Sequence, residues 1–67
     1  MLTAIQNATE IIGGQTALAN HLNIKQANVW NWLHVRGQAP AKYIKRISAL
    51  TDNKVTVEEL LADHNKE

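Results

Sequence analysis

The run QTALANHLNIKQANVWNWL, residues 15–33 of a 67-residue chain, decides how the rest is read. Leu18, Ala19 and Leu22 share one side of a two-turn helix over residues 15–22. Asn23 follows, and asparagine enters the left-handed backbone region more readily than other side-chain-bearing residues, which suits a sharp corner. Ile24 is an apolar plug for that corner. A second helix over residues 26–34 then turns Val29, Trp32 and Leu33 inward. Small Ala19 lets the two helices cross closely. The order small residue, corner residue, plug and β-branched core residue is that of a helix-turn-helix.

What that second helix leaves outside is polar. Lys25, Gln26, Ala27, Asn28, Trp30 and Asn31 form its outer face. Gln and Asn can bond adenine N6 and N7 together, Lys can donate to guanine, and Ala can meet a thymine methyl. These six are the candidate base readers. Trp30 has two readings: it meets a sugar or thymine methyl, or it is half-buried against the following helix. Gln15 and Thr16, at the start of the first helix of the pair, are candidate phosphate contacts. Arg36, Lys42, Lys45 and Arg46 are candidates for clamping the backbone.

The charge layout agrees. Net charge is only +1, but the six acids are Glu10, Asp52, Glu58, Glu59, Asp63 and Glu67. Residues 11–51 carry five cations (Lys25, Arg36, Lys42, Lys45, Arg46) and no acid. A basic centre beside an acidic tail favours a phosphate backbone at the centre.

Outside this unit the elements are short. Ile5, Ala8, Ile11 and Ile12, with Leu2, repeat at helical spacing over residues 2–12, and Gly13-Gly14 stops that helix. Residues 34–38 read as a loop. Pro40 suits the first position of a fourth helix, which keeps its period through Tyr43, Ile44, Ile47 and Leu50. Asp52-Asn53-Lys54 reads as a turn. Thr56 and Glu59 have capping-box spacing, so a fifth helix should run from Val57 to Ala62. Residues 63–67 are polar and expected to fray. Val55, Val57, Leu60 and Leu61 either close the core or supply a dimer contact.

The expectation is therefore one all-α domain over residues 1–67, of five short helices, with the helix-turn-helix at 15–33. A chain this short buries only roughly 60% of its unfolded surface, so a partner copy would help it. Catalysis is not expected: Ser48, the single serine, has no partner residues in the pattern of a triad. No cofactor or small-molecule substrate is expected either. His21, His34 and His64 lack metal-ligand spacing and cysteine is absent, so no metal site is expected. The apolar runs are too short for a membrane span, and the first ten residues lack the basic and apolar regions of a signal peptide. A bacterial cytoplasmic location is expected.

With these residues in view, the chain resembles the lambda Cro and YdaS family of small prophage repressors. GQTALANHLNIKQANVWNWL at residues 14–33 is similar to the family's Gly-Gln-Thr/Ser … Ala … Leu-Gly-Val/Ile … Gln-Ser/Ala … Val/Ile pattern. VTVEELLAD at residues 55–63 is similar to the Val-Thr … Glu-Leu close of the all-helical YdaS-like branch. The resemblance implies a lambda-repressor-like helix-turn-helix that binds double-stranded operator DNA as a homodimer and regulates transcription, typically as a repressor. An antitoxin or adaptor of the same fold, gripping a protein partner, is the alternative. The family's reading positions fall on Lys25, Gln26, Ala27, Trp30 and Asn31, and its phosphate-contacting helix start on Gln15 and Thr16. Asn23 stands where glycine is usual, and Trp30 where a small or polar reader is common.

Overall fold

Thr3 opens the first helix by accepting the Gln6 N–H through its hydroxyl, while the Gln6 side chain accepts the Thr3 N–H. That reciprocal pair satisfies two of the amides a helix start leaves unpaired. The computed structural model describes residues 3–65, so Leu2 lies outside the described residues. Helix α1 spans Ala4–Ile12 and turns Ile5, Ala8 and Thr9 inward, the Thr9 hydroxyl donating back to the Ile5 carbonyl at 2.7 Å. Gly13 and Gly14 both have positive φ, 121° and 111°, and both donate their N–H to the Thr9 carbonyl. A side chain at either position would strain this link, so the stop between α1 and α2 belongs to glycine.

Helix α2, Gln15–Leu22, buries Leu18, Ala19 and Leu22. Asn23 is left-handed at φ 58° and ψ 46°, and the Ile24 N–H closes the corner on the Ala19 carbonyl at 3.0 Å. Ile24 packs, partly buried, against the core. Helix α3, Gln26–Asn31, sends only Val29 fully inside.

A single helix to residue 34 is expected from the sequence, followed by a loop. Instead α3 widens after Asn31 into a π-helical turn, Trp32–Arg36, which Gly37 ends at φ 69°. The wider turn lets two successive large apolar side chains, Trp32 and Leu33, both pack toward the core. Periodicity at 3.6 residues cannot reveal such a turn. Pro40 also differs from expectation by one position: it is the extended N-cap of α4, Ala41–Leu50. Ile44, Ile47 and Ser48 face inward from α4, and Tyr43 meets Trp32 with ring centroids 5.6 Å apart.

Thr51 organises the next corner from inside. Its hydroxyl donates to the Ser48 carbonyl and accepts the Val55 N–H, while Asp52 and Asn53 take positive φ. The Thr56–Glu59 capping box starts α5, Val57–Ala62, as its spacing predicts. Val55 and Leu60 join the core, Val57 packs against it, and Leu61 remains exposed.

The expected frayed tail needs correcting over its first three residues. Asp63–Asn65 form a 3₁₀ turn, and Asp63 is only 8% exposed. Its two carboxylate oxygens accept the Ala4 and Ile5 N–H groups, each at 3.1 Å. A carboxylate at a helix start is favoured by both the free amides and the dipole, which is why a polar residue turns inward here. His64 Nε2 lies 2.7 Å from the Ala39 carbonyl, so the same turn holds the segment before α4. Residues 66 and 67 lie outside the described residues. The described residues form five α-helices and no strand, with one core at the junction of all five. None of the helices is long and apolar enough to cross a membrane.

Candidate nucleic-acid interface

Helix α3 owes its outward chemistry to having one buried anchor. With Val29 inside, successive residues at about 100° place Ala27 and Asn31 nearly opposite the core. Gln26 and Trp30 flank them on one side, and Asn28 lies on the other. All five are exposed, as is Lys25, the extended N-cap. The six candidate readers therefore share one accessible surface.

The flanks are not equivalent. On the α2 side, Gln26 Nε2 donates to Gln15 Oε1 at 2.6 Å, joining a candidate reader to a candidate phosphate contact. This exposed bond sets the two amides side by side at the edge of the α3 surface. On the α4 side, Asn28 lines a shallow cleft with Ile24, Trp32, Pro40, Lys42 and Tyr43. The Lys42 ammonium lies 5.3 Å from the centroid of the Tyr43 ring, at the edge of the same surface.

Trp30 stays at the surface. It is 48% exposed and stacks on His34, one turn on, with ring centroids 4.8 Å apart and planes inclined by 35°. His34 joins the candidate surface through this contact, and sequence reasoning missed it. Its i, i+4 spacing from Trp30 was the available signal. The Gln15–Gln26 bond had no such signal, because it depends on how α2 and α3 cross.

The remaining candidate phosphate contacts divide. Thr16 is exposed beside half-buried Gln15 at the start of α2. Arg36 is exposed at the end of the π turn, beyond Val35, which is 67% exposed. Lys45 and Arg46 are exposed on the outer side of α4 with Lys42, and of these three only Lys42 shares a cleft with α3.

A corner of this kind between α2 and α3, carried on three supporting helices, defines a small all-helical domain of the helix-turn-helix type. Over residues 5–67 the chain matches the family described as bacterial toxin YdaS, and it belongs to that family. The match carries the YdaS half of the resemblance and not the lambda Cro half. No curated protein matches the chain. No solved structure matches it either.

Proposed function

We propose that this protein is a sequence-specific, double-stranded-DNA-binding transcriptional regulator, a Cro-like prophage repressor that inserts α3 into the major groove of its operator. The observation that carries the reading is the Gln15–Gln26 bond, which ties the start of α2 to an α3 outer face that carries no acid. An amide paired at the edge of an outward helix face, beside further free amides, suits base readout. Gln15 and Thr16 then meet the phosphates beside the groove, with Arg36, Lys42, Lys45 and Arg46 adding charge along the backbone.

Function in this reading needs no catalysis, metal or cofactor, and it belongs in the bacterial cytoplasm, where the DNA is. Two copies bind together, their α3 helices about 34 Å apart on successive turns of the duplex. Exposed Leu61 on α5 is the apolar residue offered for the contact between copies.

Fluorescence anisotropy with labelled duplex from the gene's own upstream region tests the reading at low salt. Saturable binding that favours this duplex over a scrambled one is expected. Equal binding to both, or none, would sink it. One observation favours a second reading, an antitoxin or adaptor that grips a protein: Trp30 and Val35 are large, apolar and exposed close together in the chain. A chain that binds no duplex but co-purifies in fixed ratio with the product of a neighbouring gene would establish that role instead.

A further inference from the structure

We infer that the half-site read by α3 is rich in A·T pairs, and that the stacked Trp30–His34 pair reads a thymine methyl within it. This rests on the DNA-binding reading above and names the sequence class that such a site would select.

Each base offers the major groove a different partner. Guanine presents two acceptors best met by Arg or Lys, and cytosine presents a donor best met by Asp or Glu. Adenine presents an adjacent donor and acceptor that suit Asn or Gln, and thymine presents the only apolar group, its methyl. Residues 26–31 hold three amides (Gln26, Asn28, Asn31), two apolar outward residues (Ala27, Trp30), and no cation or acid. Lys25 is the one charged neighbour at the start. Arg36 lies ten residues past Gln26, about 15 Å further along the axis. The face carries the partners of adenine and thymine and lacks most partners of guanine and cytosine.

The hydrogen-bond inventory of Gln26 narrows this further. One of its two amide hydrogens is given to Gln15. What remains is one N–H and a carbonyl oxygen, the set that adenine N7 and N6 require. Beside it, Ala27 and Trp30 lie on neighbouring turns, so an apolar strip runs through the amide rim. His34 stacks on Trp30 and holds the exposed indole in one orientation. A wedge fixed in this way can meet a methyl group at a defined base pair, and His34 acts as its positioning residue.

Selection of duplexes from a random pool by the purified full chain, at low salt, gives the first readout. An A·T-rich half-site is expected. Each thymine in the selected site is then replaced by deoxyuridine, which removes only the methyl. At one position affinity should fall about fourfold, the worth of one buried methyl. In His34→Ala that uracil penalty should vanish, and in His34→Phe, which keeps a stacked ring, it should return. Circular dichroism confirms that both variants are folded, and should His34→Ala fail to fold, Trp30→Ala replaces it with the same expected loss of the uracil penalty. A G·C-rich half-site, indifference to uracil at every position, or a Trp30→Ala variant that keeps the uracil penalty would overturn the inference while leaving DNA binding intact. A pool that shows no enrichment at all would instead remove the DNA-binding reading on which it rests.

Discussion

The two ends of this small domain use their polar groups in opposite ways. Around α1, α5 and the 3₁₀ turn, side chains are spent on the fold. Two capping boxes, the Thr51 hydroxyl and the Asp63 carboxylate all close on backbone groups of the chain itself. Around α2 and α3 no side chain caps a helix, and two of the surface amides, Gln15 and Gln26, bond to each other. One region is locally complete, whereas the other keeps donors and acceptors in hand. That contrast separates residues that make the structure from residues the structure presents.

Substitutions can break this division. The largest effect should come from the core that joins both regions: Leu18→Ala, at a fully buried position, should lose about 2–5 kcal/mol by urea denaturation. Asp63→Ala should cost about 1–3 kcal/mol, because it leaves two α1 amides without their charged acceptor. A thermal melt unchanged in that variant would show that the tail is ornamental. Gln26→Ala and Asn31→Ala should leave the melt within about 0.5 kcal/mol of the parent. Each should nonetheless relax discrimination at one base pair by roughly 1–3 kcal/mol in competition binding, which is the sharpest test of the contrast. Thr56→Ala should cost about 1 kcal/mol of stability and leave DNA affinity untouched. Smallest of all, Lys45→Ala should weaken every duplex alike and lower the salt slope by about 1.

The same contrast explains what could be read without coordinates. Helices α2 and α5, the Asn23 corner, the 52–54 turn and the Thr56 capping box were legible because each depends on residues within four or five positions. The inner face of the helix-turn-helix was legible for the same reason, Leu18, Leu22 and Val29 keeping helical period. What escaped was either non-local or non-standard. Asp63 looked like a solvated tail residue because its partners, Ala4 and Ile5, are nearly the whole chain away. The π turn escaped because its side chains follow a wider spacing than an α-helix, so Val35 and Arg36 were read as loop. On the outer face, residue types named the six candidates, but only the fold shows that Gln26 is tied to Gln15 and that Trp30 rests on His34.

The Asp63 link also sets a clock on synthesis. Ile5 is made 58 residues before the carboxylate that accepts its amide. While the chain is being translated, α1 has no long-range acceptor for its leading amides, and its apolar stripe lacks the α4 and α5 surfaces it packs on. The two leading α1 amides therefore wait for their charged acceptor until residue 63 has been made.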